Sequence, residues 1–562
     1  MKHTILILLA LFPIGPLWSA SLHVNADKRR FSFGGVIENA RLGLDANGKT
    51  LWAEDAVSAK WTGGQTGRLA LRFAEPAIEW TIDFSQGGDG ESALIMSSIR
   101  NLSGAAVALG RCRLADAAGP DSALVLGPSP ENAVAFVESG WQQTSPVVKL
   151  SGMDRPRKSK TLVQIYNQSS RTALHLGFVS YDRISTVHEL AWDKVRGVPT
   201  LSAYCDFEGF MLPAGATVAT EKLRLATGTD PYSELETWAN LVSAEYKVQV
   251  WPKIPAGWLG WSWVDGFNVE RYEDVVLRNA RSVRERLPGL DIEYVWVSIG
   301  NLEGKQPGNW LRWNSELFPS GPQALIGDLA KKDFKLGFWC GAFWLSPRLK
   351  PEVDKFRDAL LLKDGKPLAV PHREIGEVYV LDPTHPKTQA FLKDVFTTYR
   401  DWGVRYFMID FLDAISGTTP GNHIADGYYD RSLIPGPQAY RAGVKVIADA
   451  AGADTYLLPS TGPTLLNVGL VAANRVGTDY GEGRALDGPG KGFYPGTFVI
   501  NRAEYWTSHR AATNALAFEE NDWHADSFRL GHEPHRTPRL APPRQRLALR
   551  RGVLDSVAAG AA

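Results

Sequence analysis

The sequence predicts a multidomain fold in which a β-sandwich precedes an α/β barrel of (β/α)8 type. In residues 22–245, short runs of alternating apolar and polar residues are separated by turn sequences such as DANGK and SQGGDGES. This period of two is typical of the strands of an antiparallel sandwich. In residues 257–525, near-continuous apolar runs alternate with helical patterns instead, which indicates a parallel sheet with helices on both faces.

The length and charge of the chain limit the class of protein. A chain of 562 residues is long enough for two or three domains with large cores. Its 61 basic and 61 acidic residues balance, without a basic stripe, so no nucleic-acid partner is expected. The 19 tryptophans suit a large core, and they also suit sugar binding, because apolar sugar faces stack on indole rings.

Residues 1–21 have the layout of a signal peptide. Lys2 and His3 precede a mostly apolar run over positions 4–16, and small residues follow at positions 19–21. The apolar run is too short for a membrane span. The sequence therefore predicts cleavage after position 20 or 21 and export to the periplasm or the extracellular space. No membrane span is expected in the mature chain, and an uncleaved anchor is the alternative.

A helix is predicted over residues 230–246, where apolar residues recur at helical spacing. Pro252 and Pro255 restrict the backbone after it, so residues 246–256 are interpreted as the linker between the two domains. Seven strand candidates follow: GWLGWSWV, IEYVWVSI, KLGFWCGAFWL, EVYVLD, RYFMID, TYLLPST and ANRVGTD. The sequence contains no glycine-rich phosphate loop, which favours a barrel over a doubly wound sheet.

The end of the sequence does not continue this pattern. Residues 526–562 are rich in Arg, Pro and Ala, and no strand can be placed there, so the predicted barrel is one strand short. Either one strand has been overlooked, or the natural chain was longer and this tail is a disrupted or out-of-frame end. The composition favours the second interpretation.

Two stretches end in carboxylates that are candidates for catalysis. RYFMIDFLDA, at residues 405–414, runs from apolar residues into Asp410, and ANRVGTDYGEGR, at residues 473–484, approaches Asp479 in the same way. The C-terminal ends of parallel strands are where α/β barrels keep their catalytic groups. For each aspartate the alternative is a cap on the following loop or helix. Asp413 is a further candidate for a catalytic carboxylate, although a charge on the protein surface is the simpler interpretation.

The order of several motifs resembles the α-galactosidases of the melibiase clan, glycoside hydrolase families 36 and 27. The stretches that carry the resemblance are GWLGWSW, GNW with FPSGPQAL, KLGFWCGAF, VYVLDPTHP, WGVRYFMIDF and RVGTD. The resemblance covers residues 22–522 in layout and 257–479 in motifs. It implies an N-terminal β-sandwich, a (β/α)8 catalytic barrel and a small C-terminal β domain, the last of which this sequence lacks.

The resemblance also implies roles for individual residues. Asp410 stands where the family has its nucleophile, and Asp479 stands where it has its acid/base. Arg475 would contact the sugar, with an ion pair to a neighbouring acid as the alternative. The candidates for stacking on the sugar are Trp261, Trp310 and Trp339. For each of them, a position in the hydrophobic core is an equally acceptable interpretation.

Three departures from the family pattern bear on the substrate. Ser298 and Ile299 stand where the family has two aspartates that hold sugar hydroxyls, and Met408 replaces a lysine. Each lost charged hydrogen-bond partner typically costs about 1.5–3 kcal/mol. The departures therefore question galactose itself more than they question glycoside cleavage.

The leading hypothesis is an exported retaining α-glycosidase that acts on terminal α-galactosides or a related sugar through two carboxylates. The alternatives are a catalytically weakened carbohydrate-binding protein and a transglycosidase on the same scaffold. The expected partner is an oligosaccharide or glycoside substrate, and the resemblance leaves a homo-oligomer open. No cofactor is expected, and no Cys or His spacing suggests a zinc site. The three cysteines are interpreted as buried thiols, with a Cys112–Cys205 disulfide as the alternative.

Overall fold

The computed structural model describes most of the chain up to residue 474. The described residues are 21–64, 66–87, 91–137, 147–248, 251, 255–259, 271–372, 375–416, 425–460, 462–463 and 465–474. Within them the fold is mostly β, with few helices. One continuous hydrophobic core extends from the first strands to the last helices.

The first part of the chain consists of short strands, as the period of two predicts. Its strands are β1 (Leu22–Asn25), β2 (Arg30–Phe33), β3 (Ile37–Ala46), β4 (Lys49–Trp52), β5 (Ser58–Gly63), β6 (Gly67–Phe73), β7 (Ile78–Gln86), β8 (Ser92–Asn101), β9 (Val107–Asp116), β10 (Ala123–Leu124), β11 (Ala133–Val137), β12 (Val147–Lys149), β13 (Arg157–Ser159), β14 (Leu162–Asn167), β15 (Thr172–Phe178), β16 (Ser185–Asp193), β17 (Val198–Leu212), β18 (Thr217–Ala219) and β19 (Leu223–Gly228). In β7 every second residue is buried, from Ile78 to Phe84, which is the pattern of a strand with one face on a core.

These strands form two antiparallel sheets. One has the order β1-β2-β3-β9-β17-β16-β13, with β4 and β10 paired to β3, and the other has the order β12-β11-β14-β15-β19-β8-β7-β6-β5, with β18 paired to β8. Side chains of the two sheets touch, since the rings of Phe31 and Phe84 are 5.6 Å apart and Ser97 Oγ lies 3.6 Å from Cys112 Sγ. The strands are confirmed, and their assignment to a sandwich domain stays a prediction.

Helix α1 (Pro231–Tyr246) confirms the helix predicted at 230–246. The carboxylate of Asp230 caps it by accepting a hydrogen bond from Tyr232 N at 2.9 Å, and the proline at the first helical position has no N–H to leave unpaired. Trp238 faces the ten-stranded sheet and donates its indole N–H to Phe178 O at 2.7 Å. The helix is therefore fixed on the sheet before the linker begins.

The second part alternates strands and helices. Its elements are β20 (Gly257–Leu259), α2 (Tyr272–Arg286), β21 (Tyr294–Val297), α3 (Gly321–Ala330), β22 (Lys335–Cys340), β23 (Trp344–Leu345), α4 (Lys350–Phe356), β24 (Leu362–Lys363), β25 (Lys366–Pro367), β26 (Ala369–His372), β27 (Gly376–Val380), α5 (Pro386–Trp402), β28 (Tyr406–Ile409), α6 (Asp413–Ser416), α7 (Pro437–Ala451) and β29 (Tyr456–Pro459). Strands β20, β21, β22, β28 and β29 pair in that order, all parallel. Closure into an eight-stranded barrel stays a prediction, since the described part of the chain contributes these five strands to the parallel sheet.

Two strand candidates differ from the expectation. KLGFWCGAFWL divides into β22 of the parallel sheet and β23 of a three-stranded sheet. EVYVLD forms β27, but β27 pairs antiparallel with β23 and β26 in a separate three-stranded sheet. The local sequence specified a strand correctly, whereas its partner and direction depend on residues far away in the chain. The candidate ANRVGTD lies outside the described residues from position 475 onward.

Arg441 on α7 joins the two parts of the chain. Its guanidinium lies 3.4 Å from the carboxylate of Asp182 and 5.2 Å above the ring centre of Tyr246. It also donates to the carbonyl oxygens of Leu466 and Val468 at 2.8 and 3.0 Å. Four partners from both parts hold this one side chain, so the parallel sheet and the N-terminal strands have a fixed relation at this point.

The cysteines are free and buried, as the preferred interpretation expects. Cys112 and Cys205 are direct neighbours across β9 and β17, yet they are not bonded to each other. Across the described ranges, none of the helices is both long and apolar enough to cross a membrane.

Candidate active site

Asp410 directly follows β28, the strand between β22 and β29 in the parallel sheet. Phe407 and Ile409 of this strand are fully buried, and the backbone of Asp410 continues the ladder by donating to Cys340 O at 2.9 Å. The apolar strand thus fixes the backbone that carries the carboxylate. The structure places Asp410 at the carboxyl end of a parallel strand, as the sequence predicts.

Two N–H groups bind the carboxylate of Asp410. The indole of Trp339 donates to Oδ2 at 2.9 Å, and the backbone of Phe411 donates to Oδ1 at 2.9 Å. Phe411 has a left-handed backbone with φ 57°, a conformation that is uncommon outside glycine and that turns the chain away from the strand direction.

An aromatic cluster surrounds Trp339, the residue whose indole binds this carboxylate. The Trp339 ring contacts Trp310 edge-on at 6.1 Å and Phe411 at 6.1 Å. Trp344 stacks on Phe411 with their centres 3.9 Å apart, and His372 lies 5.3 Å from both rings. The cluster therefore holds the indole that donates to Asp410, while Asp410 itself is partly exposed.

Asp413 is a second carboxyl group in the same segment. It begins α6, three residues after Asp410, and is only partly exposed. Burial, followed by repulsion from Asp410, raises its pKa from the ordinary 3.8 to about 7. The interpretation of Asp413 as a surface charge is therefore wrong. Its burial depends on residues that the fold packs around the end of β28, and the local sequence does not specify them.

The predicted stacking residues that the structure describes are enclosed. Trp310 is 1% exposed and Trp339 is 7% exposed, as core residues would be, and Trp339 also binds Asp410. Trp310 and Trp339 are in contact, so the structure brings two of the predicted site residues together with Asp410. Three further predicted site residues lie outside the described ranges: Trp261, Arg475 and Asp479.

The residues that depart from the family pattern lie at the same edge of the sheet. Ser298 and Ile299 follow β21 directly, and both are buried. Met408 pairs with Trp339 on one side and with Leu458 on the other, so it lies on the face of the sheet that carries Asp410. This part of the candidate site is uncharged.

Asp382, at the end of β27, has a structural role. One of its carboxylate oxygens accepts from Thr384 N at 2.8 Å and the other accepts from Tyr429 N at 2.6 Å. These hydrogen bonds make Asp382 a cap on the loop after β27. In the part of the chain described, no group of three or more Cys, His, Asp or Glu side chains could hold a metal ion.

The fold is similar to those of several solved structures. No family model matches the sequence. The family 36 α-galactosidase AgaA of Geobacillus stearothermophilus aligns over 93% of this chain and 75% of its own, with a TM-score of 0.59 and 12% identity. A variant of AgaA in complex with 1-deoxygalactonojirimycin aligns over 78% of this chain and 64% of its own, with a TM-score of 0.56 and 12% identity.

A third structure gives the same result. The galactosidase domain of the α-galactosidase–sucrose kinase AgaSK aligns over 81% of this chain and 63% of its own, with a TM-score of 0.53 and 14% identity. At such low identity the likeness is one of three-dimensional fold. The chain therefore has the fold of the family 36 α-galactosidases.

Proposed function

We propose that this protein is an exported retaining α-glycosidase of α-galactosidase type, which hydrolyses terminal α-galactosides or a related sugar. The observation that carries the proposal is Asp410, bound by two N–H donors beside an aromatic cluster at the end of a parallel strand. The shared fold and the resemblance of WGVRYFMIDF to the nucleophile motif support the same role.

The proposed reaction has two steps. An oxygen of ionised Asp410 attacks the anomeric carbon while the bond from that carbon to the leaving oxygen breaks, and the leaving oxygen takes a proton from a carboxylic acid. Water then attacks the glycosyl ester, gives its proton to the same carboxylate and releases Asp410. We assign the acid/base role to Asp479 by resemblance. In a retaining enzyme the two carboxyl groups would be about 5–5.5 Å apart.

The proposal includes the architecture that the sequence predicts. It consists of a signal peptide at 1–21, a β-sandwich at 22–245, a linker at 246–256, a (β/α)8 barrel at 257–525 and a tail at 526–562. The two antiparallel sheets, α1 and the parallel sheet support this division. The sugar contacts expected of Trp261 and Arg475 belong to the same proposal.

The neutral edge of the site bears on the substrate. AgaA variants have been crystallised with raffinose and with stachyose, which are oligosaccharides with terminal sugars. In this chain Ser298, Ile299 and Met408 offer no charged partner to sugar hydroxyls. We therefore propose an oligosaccharide or glycoside substrate. Its terminal sugar would be bound with fewer hydrogen bonds to charged side chains than the family motifs provide for galactose.

The same neutral edge favours a second candidate function, that of a carbohydrate-binding protein with weakened chemistry. A transglycosidase would use the same carboxylate pair but pass the sugar to another hydroxyl group. The Asp410 arrangement favours chemistry over binding alone, because the end of β28 presents this carboxylate with both oxygens bound by N–H donors, as a positioned nucleophile requires.

The experiment is hydrolysis of a panel of nitrophenyl α-glycosides of galactose, N-acetylgalactosamine and glucose, with nitrophenyl β-L-arabinoside. Release from one sugar that is lost in Asp410→Ala supports the glycosidase, and unchanged release in that variant refutes the assignment. Asp121→Ala, at a side chain that is 76% exposed, is the control. A folded protein that binds a sugar but releases no nitrophenol from any of them would support the binding protein.

A further inference from the structure

Strand β17 of the N-terminal part contains a bulge that approaches the candidate site. Its pairing with β9 shifts between Asp206 and Phe210, and the residues inside the shift include Glu208, with φ 52°, and Gly209, with φ 80°. A bulge of this kind bends a strand and redirects its side chains. The carboxylate of Glu208 accepts a hydrogen bond from Ser185 Oγ at 2.7 Å, and Ser185 is itself buried.

Gly436 lies where this bulge meets the second part of the chain. It precedes α7, has φ 86° and is buried. A Cβ atom at this position would lie 3.4 Å from Ser185 Oγ, 3.6 Å from Glu208 Oε1 and 3.5 Å from the carbonyl oxygen of Ser416. Gly436 is therefore packed between the N-terminal sheet on one side and α6 on the other.

Helix α6 is the segment that follows Asp410. It is a single turn, from Asp413 to Ser416, and one turn is not stable by itself. Inside the turn, Ser416 Oγ donates to Asp413 O at 2.9 Å. From outside, the buried hydroxyl of Tyr428 donates to Ile415 O at 2.8 Å. The same hydroxyl accepts a hydrogen bond from the backbone of Gly436 and lies within reach of the charge on Glu208.

We propose that the β17 bulge and Gly436 form a positioning device, in which Glu208 and Ser185 hold α6 and thereby the segment that carries Asp410. This inference rests on the proposed glycosidase function for its effect on turnover. The N-terminal part would then act on the chemistry without touching the substrate. A displacement of about 1 Å at a reacting group can lower a rate about 100-fold.

The test compares two glycines with left-handed backbones. Gly436→Ala puts a side chain on a backbone with φ 86° and ψ −114°, in van der Waals contact with Ser185, Glu208 and Ser416, so relief of the backbone strain moves these neighbours. Gly365→Ala, at φ 70°, adds a methyl group with no atom within 4 Å. We expect Gly436→Ala to lower kcat on the nitrophenyl glycoside about 10- to 100-fold with KM changed little. We expect Gly365→Ala to leave both within about twofold. Equal effects of the two substitutions would overturn the inference.

A second pair of variants keeps the test decisive if Gly436→Ala does not fold. Glu208→Ala removes the acceptor for Ser185 Oγ, whereas Glu208→Gln keeps an oxygen in its place. We expect Glu208→Ala to lower kcat and Glu208→Gln to restore it. Loss in both variants, or in neither, would count against a positioning role through this hydrogen bond.

Hydrogen–deuterium exchange separates this inference from the proposed function. Exchange of the backbone amides over residues 407–416 should be faster in Gly436→Ala and in Glu208→Ala than in Gly365→Ala or the unaltered protein. Unchanged exchange overturns the inference even if the protein is an active glycosidase. Faster exchange in a protein that releases no nitrophenol supports the positioning of α6. That result refutes the proposed glycosidase function and leaves the positioning inference standing.

Discussion

Replacing Asp413 by asparagine should change how the stability of the protein depends on pH. In the folded protein, burial and the neighbouring Asp410 raise the pKa of Asp413 from 3.8 to about 7. Burial raises the pKa of the nearby Tyr440 hydroxyl on α7, and the charge on Asp413 adds to this. The unfolded chain has the ordinary aspartate pKa of about 3.9.

The sign follows from counting protons. Between about pH 4 and pH 7 the folded protein keeps a proton on Asp413 that the unfolded chain has lost, so stability falls as pH rises and becomes constant above about pH 7. Three pH units at about 1.4 kcal/mol each give a total loss on the order of 4 kcal/mol. Between pH 5 and pH 8 the same two pKa values give about 2.5 kcal/mol. Asp413→Asn cannot ionise and should not show this loss.

The assay is urea unfolding followed by tryptophan fluorescence at pH 5 and at pH 8. The free energy of unfolding of Asp413→Asn minus that of the unaltered protein should increase by about 2.5 kcal/mol between pH 5 and pH 8. The variant therefore becomes more stable relative to the unaltered protein as pH rises. Asp121→Asn, at an exposed side chain, should show the same difference at both pH values. If Asp413→Asn shows the same difference at both pH values too, Asp413 does not hold a proton in the folded protein.

Two further predictions concern a hydrogen bond and an ion pair. Trp339→Phe keeps an aromatic ring but removes the donor to Asp410 Oδ2. A hydrogen bond to a charged group is worth about 1.5–3 kcal/mol, so kcat/KM on the nitrophenyl glycoside should fall about 10- to 100-fold. A change below about twofold would contradict this. Glu234→Gln leaves Arg224, whose side chain is 2% exposed, buried without its counter-charge, and should lower the free energy of unfolding in urea by about 3–5 kcal/mol. Lys445→Met, at an exposed pair, should lower it by less than about 1 kcal/mol, and equal effects at the two pairs would refute the argument from burial.

Local patterns determined the elements of this fold. The period of two identified strands such as β7, and the helical spacing of apolar residues over 230–246 predicted α1, which the structure begins at Pro231 after an Asp230 cap. These features depend on neighbours within a few residues, through side-chain alternation in strands and through hydrogen bonds and backbone angles at the helix cap. The sequence also determined that Asp410 follows a buried apolar strand.

Contacts between distant residues decided the rest. β27 has the composition of a strand, but its antiparallel partners come from elsewhere in the chain. Asp413 resembles a surface charge in sequence, and only the packing around α6 buries it beside Asp410. Trp339 binds Asp410 across 71 positions of sequence, a pairing that no local pattern can specify.

The sequence by itself determined where strands and helices begin and which carboxylate stands at a strand end, because these depend on the order of neighbouring residues. The tertiary structure decided which groups surround that carboxylate and how a bulge in β17 comes to lie against α6. The physical reason is that burial and hydrogen-bond partners belong to pairs of residues, and the fold alone brings those pairs within a few ångströms.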